Sequence, residues 1–163
     1  MNNNASVFED IKHMLDELGF VVSSMDDNRP WGGFFVISEQ DAPAFIDHFF
    51  PMLQKEELLT GKLSPKILLV APNKKLSWQY HHRRSEVWKL IRGEASIIRS
   101  ETDQENPPAQ MTIGDLIELK KGERHRLVGL SDWGIVAEIW IHTDPQNPSD
   151  ENDIIRLQDD FGR

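Results

Sequence analysis

A short window of the chain carries residues that could hold a metal ion. Between Ser77 and His81 the sequence alternates, Ser77-Trp78-Gln79-Tyr80-His81, and it continues through His82-Arg83-Arg84-Ser85-Glu86-Val87-Trp88. Alternate residues of a strand share a face, so Gln79 and His81 point one way and Trp78 and Tyr80 the other. A turn around residues 83–85 brings Glu86 back on a neighbouring strand, where it converges with Gln79 and His81. A second window, residues 114–125, makes a turn at Gly122 and opens the next strand with His125. Amide oxygen, imidazole and carboxylate together form a mixed N/O donor set suited to a divalent cation of intermediate hardness.

The elements that must position these residues are short strands. From Lys66 onward, runs rich in Val, Ile and Trp follow one another at 66–71, 76–82, 86–91, 94–100, 110–113, 116–120, 125–128 and 135–142. Such spacing predicts an all-β sandwich or barrel. Residues 101–108 are polar and contain prolines, and read as an exposed loop. Upstream, residues 5–18 predict an amphipathic helix ending at Gly19, with Val7, Ile11, Met14, Leu15 and Leu18 at helical spacing. Residues 23–28 read as a polar turn. Arg29-Pro30-Trp31-Gly32-Gly33 then leads into a strand at 34–37. Residues 41–59 predict one further helix, with Asp41 as N-cap and Pro43 in its first turn. The acidic tail, 144–153, reads as a loop. The expected organisation is one domain, in which residues 1–64 (helices and the Arg-Pro-Trp-Gly strand) pack on a barrel formed by 65–163.

Composition narrows the function classes. The 163 residues are 39% hydrophobic, with five Trp and eight Phe, which is enough for a packed core. There are 27 acidic against 18 basic side chains, for a formal charge of −9, the opposite of a general nucleic-acid binder. The absence of cysteine excludes disulfides, thiolate metal sites and a Cys nucleophile. No run approaches the roughly 20 apolar residues that span a bilayer. The first residues lack the basic and apolar regions of a signal peptide, so the expectation is a soluble cytoplasmic protein without membrane or nucleic-acid partners. Any anionic ligand then needs a local concentration of cations.

The two windows resemble the paired motifs of the cupin superfamily. The second motif lies on Gly114, Gly122 and His125; the first lies on His81, Glu86 and Gly93, with Gln79 in place of its first His. A Gln-x-His pair is the form found in phosphomannose isomerases of the cupin class. The chain is most similar to the isomerase domain of type II phosphomannose isomerases, over residues 29–37 and 65–163. Shared elements are Arg29-Pro30-Trp31-Gly32, the run from Ser77 to Trp88, Gly122 with His125-Arg126-Leu127, Glu151 with Asp153-Ile154-Ile155-Arg156, and Gly162-Arg163. The nucleotidyltransferase half to which such domains can be fused is absent from this sequence.

The resemblance implies a mainly β fold, the cupin double-stranded β-helix or jelly-roll barrel, with an N-terminal helical elaboration. It implies one divalent metal, Zn²⁺ first and Mn²⁺, Co²⁺, Fe²⁺ or Ni²⁺ as alternatives, held by Gln79, His81, Glu86 and His125. The implied reaction is aldose–ketose isomerisation of a small phosphorylated sugar, mannose 6-phosphate to fructose 6-phosphate. Arg84 would support an enediolate, and Arg29, Trp31, Arg126, Arg156 and Arg163 would bind substrate. The general base is open, with Glu138 and Lys89 candidates by residue type. His13, His48 and His82 read as structural or surface residues. A homodimer joined through barrel edges is a family-level expectation. Rival readings are a cupin dioxygenase, another sugar-phosphate isomerase, and a non-enzymatic cupin that binds a sugar or effector.

Overall fold

The computed structural model describes residues 4–59 and 61–160. Arg163 lies outside the described residues. The elements in chain order are α1 (Asn4–Glu17), β1 (Val22–Arg29), β2 (Gly32–Ile37), α2 (Ala42–Phe49), α3 (Lys55–Leu58), β3 (Lys66–Val70), β4 (Trp78–Tyr80), β5 (Arg84–Ser100), β6 (Ala109–Gln110), β7 (Leu116–Leu119), β8 (Arg124–His142) and β9 (Ile155–Gln158). All strand pairings are antiparallel, with order β1-β2-β3-β8-β4-β9, and β5 joins β8 while carrying β6 and β7 on its other edge.

The fold is organised by β5 and β8, which run together from Arg84↔His142 to Ser100↔Arg124. The sequence divides each into two strands, but in both cases the break is a register shift within one continuous, bent strand. Register shifts fall at Leu90/Arg92 and Gly93/Ala95, and a bulge bends its strand without ending the ladder. Gly93 sits there at φ 75°, and a Cβ on it would lie 1.8 Å from the Trp133 carbonyl oxygen, so only glycine fits. The bend allows the arm of β5 that carries Glu86 to face the arm of β8 that carries His125.

Two apolar layers follow from strand alternation. On β3, Leu68 and Val70 face the barrel interior with Trp31, Leu76, Trp88, Leu90, Leu127 and Val136. Ile67 and Leu69 face outward, into a layer with Phe35, Val87, Ile135, Ala137 and Ile139 that is covered by Val7, Phe8, Ile11 and Leu15 of α1 and Phe45, Ile46 and Phe49 of α2. Both strand faces are thus buried, which explains the unbroken apolar runs.

The expected helix at 41–59 is two helices. Pro51 disfavours helical backbone at the residue before it. Phe50 accordingly leaves the helix at φ −129°, ψ 49°, and α3 resumes at Lys55. The expected turn at 23–28 is strand β1. Its polar sequence reflects an edge position, mostly exposed, paired only with β2. The acidic tail ends in an additional strand, β9, paired with β4. The β2–β3 ladder, from Gly32↔Val70 to Val36↔Lys66, joins the segment before residue 65 directly to the sheet. Among the described residues no helix is long and apolar enough to cross a membrane.

Candidate metal centre

His81, Glu86 and His125 converge inside the barrel, each offering a ligand atom, with all of these atoms within 4.8 Å of one another. Three pieces of backbone bring them together. His81 follows directly after β4. Glu86 lies on β5, opposite Trp140 of β8 and Leu119 of β7. His125 begins β8 directly opposite Gln79 on β4, which brings the fourth candidate alongside. All four are buried.

Backbone carbonyls fix the orientation of both imidazoles. His81 Nδ1 is 2.7 Å from the Asp153 carbonyl oxygen, and His125 Nδ1 is 3.0 Å from that of Glu123. A carbonyl can only accept, so Nδ1 carries a proton in each ring and Nε2 is turned inward. This tautomer and this outer contact are those of a metal-binding histidine. His125 Nε2 lies 2.9 Å from Glu86 Oε1, yet among the described residues neither atom has a hydrogen-bond partner. Buried polar atoms are rarely left in that condition. A cation between them satisfies both, so the residues present fit a divalent metal. Gln79 belongs to the same wall, where its Oε1 accepts from Ser77 Oγ at 2.7 Å.

Burial alone would raise the Glu86 carboxyl. The facing imidazole of His81 first, then that of His125 and the charge of Arg84, outweigh it and hold the group well below the usual carboxylate range. Arg84 is the closest cation. Its Nε donates to Glu86 Oε2 at 3.1 Å, and one terminal nitrogen lies 3.3 Å from His81 Nε2. The other terminal nitrogen donates to Ser149 Oγ and to the Asp150 carbonyl. The guanidinium carbon sits over the Trp140 ring, 3.5 Å from its centroid.

The tail reaches back over this centre through Asp153, which is 5% exposed. Its carboxylate accepts from the backbone N–H groups of His82 and Arg83 and from Ser149 Oγ, while its carbonyl holds His81. Burial would raise this carboxyl, but those donors hold it below its ordinary value. Asp153 falls in a motif that the sequence flags, yet only the fold shows that it orients a ligand.

A cavity of about 110 Å³ opens beside the centre, and Arg29, Trp31, Lys66, Gln79, Arg84, Glu86, Glu138 and Arg156 are among the residues lining it. The structure therefore brings Arg29, Trp31, Arg84 and Arg156 to one place with the candidate ligands. Arg126 is not brought there. It alternates with His125, so it points out of the barrel, and it is fully buried against the Leu76 carbonyl, Glu105 and Gln158. A substrate anion cannot reach a guanidinium so placed, and Arg126 instead ties β9 and the 101–105 loop to β8. Lys89 also points outward and donates to the Phe49 carbonyl on α2. His142, held by Ser64 and Ser149, is not among the residues lining the cavity. His13, His48 and His82 are exposed.

Two residues of the cavity received little weight from sequence. Lys66 is buried; its ammonium lies 4.3 Å from the Trp140 centroid and 5.3 Å from that of Phe34, in an ion pair with Glu151. Glu138 is buried between Lys66 on β3 and Trp88 on β5. The signal for both was parity. Lys66, Leu68 and Val70 share one face of β3, while Val136, Glu138 and Trp140 share one face of β8. A larger cleft of about 460 Å³ lies over Arg99, Lys120, Lys121 and Arg124, but its Glu123 is paired to Arg99. It does not include the His–Glu–His group.

Comparison with known proteins agrees with this architecture. The alginate biosynthesis protein AlgA of Pseudomonas aeruginosa is 26% identical over 163 residues, spanning 95% of this chain but only 27% of AlgA. The capsular polysaccharide assembling protein CapF of Staphylococcus aureus superposes with a TM-score of 0.56 at 13% identity, covering 83% of this chain and 34% of CapF. A second CapF structure gives 0.54 at 16% identity, covering 83% and 31%. At such identities the CapF likeness is one of fold. Residues 52–159 match the family described as mannose-6-phosphate isomerase C-terminal. The jelly-roll topology, the inward-facing Gln-x-His pair with its glutamate and distal histidine, and this match over most of the sequence make the chain a member of the mannose-6-phosphate isomerase C-terminal family, a cupin domain.

Proposed function

We propose that the chain is a metal-dependent aldose–ketose isomerase acting on a phosphorylated sugar, with mannose 6-phosphate and fructose 6-phosphate as the first pair to test. One observation carries the reading. His125 Nε2 and Glu86 Oε1 stand 2.9 Å apart without a hydrogen bond, beside a cavity that also presents cationic side chains. Gln79, His81, Glu86 and His125 are the ligands proposed for one divalent ion, Zn²⁺ first. When bound, that ion supplies Lewis acidity toward the oxygens on C1 and C2 of the sugar.

The remaining work falls to the chain's own side chains. Arg84 is locked by Trp140, Ser149 and the Asp150 carbonyl, so its positive charge is fixed beside the place where the negative charge of an enediolate would develop. Arg29 and Arg156 lie at the exposed rim, as the phosphate of a six-carbon substrate requires when its first two carbons enter the barrel. Their N–H forks suit phosphate oxygens. Trp31 offers an apolar face to the sugar carbons. These local cations explain how a chain of net charge −9 could take an anionic substrate. A homodimer is proposed through the exposed edge strand β1, and light scattering on the purified protein tests it.

The deciding experiment strips the protein with a chelator, restores Zn²⁺, Mn²⁺, Co²⁺, Fe²⁺ or Ni²⁺ in turn, and measures fructose 6-phosphate formed from mannose 6-phosphate. Activity restored by one equivalent of metal, with both metal and activity lost in His81→Ala, supports the reading. No turnover with any of these metals refutes it.

A further inference from the structure

We propose that Glu138 is the proton carrier of this site: its carboxylate takes the proton from C2 of the aldose and returns it to C1. This rests on the isomerase reading above and adds the residue that the reading leaves open.

Three carboxylates line the cavity, and two have other work. Glu86 faces His81 and His125. Glu151 is 71% exposed at the rim and paired with Lys66. Glu138 remains. It is 4% exposed, and both of its oxygens are held by indole donors: Trp88 Nε1 to Oε2 at 2.6 Å and Trp140 Nε1 to Oε1 at 2.9 Å. Each indole uses one lone pair of its oxygen, leaving the other for a proton. The carboxylate is therefore fixed in direction while keeping acceptor capacity.

In the metal-free chain the surroundings make this carboxylate more basic than an ordinary one. Burial first, then the charge of Glu86, raise this carboxyl to about 7, against the opposing charges of Lys66 and Arg84 and the Trp88 hydrogen bond. A base poised near the working pH combines the ionised form with useful basicity. The other candidate by residue type, Lys89, has its ammonium on the far face of the sheet against Phe49.

The chemistry closes on itself. The C2–H bond breaks, its proton goes to Glu138, and its electron pair forms the C1=C2 bond while the C1 carbonyl becomes an oxyanion. The hydroxyl proton of O2 passes to O1, the C2 carbonyl forms, and Glu138 delivers its proton to C1. No oxidant or further reactant is consumed.

The test compares wild type, Glu138→Gln and Glu138→Asp on mannose 6-phosphate, with metal content and circular dichroism measured on each protein. Glu138→Gln is expected to lower kcat by at least about 100-fold, the usual size of a general-base contribution, with KM within threefold and metal content unchanged. In D₂O, wild type places solvent deuterium on C1 of the product, and the variant loses this in step with kcat. Glu138→Asp keeps the carboxylate but withdraws it by one methylene, and a loss of roughly tenfold or more is expected. A folded, metal-replete Glu138→Gln protein with kcat within threefold of wild type overturns the assignment while leaving the isomerase reading intact. Should that variant not fold, wild-type kcat in Glu138→Asp overturns it instead. A wild-type protein that converts no sugar phosphate overturns the isomerase reading itself, and this assignment with it.

Discussion

Replacing Glu138 by Gln should change how stability depends on pH, independently of catalysis. In the metal-free protein this carboxyl titrates at about 7, against 4.5 for an unperturbed glutamate. Each pKa unit is worth about 1.36 kcal/mol, so ionising Glu138 in the fold costs roughly 3 kcal/mol more than in the unfolded chain. The native state therefore holds the extra proton between pH 4.5 and 7. The associated stability is fully present below 4.5 and is lost as pH rises through 7. Between pH 5 and pH 8 the wild type should lose roughly 2–3 kcal/mol relative to Glu138→Gln, which has nothing to titrate at this position. For a chain of this size that is about 5–10 °C in Tm. The assay is urea unfolding of both proteins in chelator at pH 5, 6, 7 and 8, with the wild-type-minus-variant difference plotted against pH. A Lys66→Met background should steepen the curve, because Lys66 is the first of the charges that oppose the rise. Parallel stability curves for wild type and variant over this range would refute the electrostatic reasoning, whatever the outcome of the activity assay.

Further outcomes follow from the residues that frame the centre. Asp153→Ala removes the acceptor for two backbone N–H groups and for Ser149 Oγ. Stranded buried donors cost about 1–3 kcal/mol, and loss of an outer-shell contact to a ligand histidine weakens metal binding by roughly 10–100-fold. Chelator competition should show that weakening, and an unchanged affinity would mean that the tail does not orient His81. Arg126→Met should lower the urea midpoint while leaving KM for the sugar phosphate within threefold. A tenfold rise in KM without loss of stability would put Arg126 back among the substrate-binding residues.

The candidate metal centre was legible in the sequence because its information is local. Gln79 and His81 differ by two positions, and Glu86 follows after one turn, so strand periodicity alone puts them together. Parity extends further along both strands. Counting in twos from Glu86 leads to Trp88 inside the barrel and leaves Lys89 outside. Counting back from Trp140 leads to Glu138. What parity could not give is the bend at Gly93, which reads as a turn between two strands but is a bulge within one. Without that bend strand periodicity does not bring Glu86 and His125 face to face, and only the resemblance of the two motifs joined them. The break at Pro51 was readable from proline chemistry. The pairing of β1 was not, because an exposed edge strand shows no apolar alternation.

Arg126 shows where motif and geometry part. It lies next to His125 in a motif shared with phosphomannose isomerases, and proximity in sequence makes it look like a substrate ligand. Neighbours on a strand, however, face opposite ways, so a residue beside an inward ligand is the one position that cannot share its cavity. Its guanidinium instead meets the Leu76 carbonyl, Glu105 and Gln158 beneath β9. That attachment still serves the centre. β9 places Arg156 opposite Gln79, and the tail before β9 carries Asp153 to His81. The same reasoning separates the arginines by place: Arg84 shares its face with Glu86 and lines the candidate site, whereas Arg126 anchors the segment that packs over it.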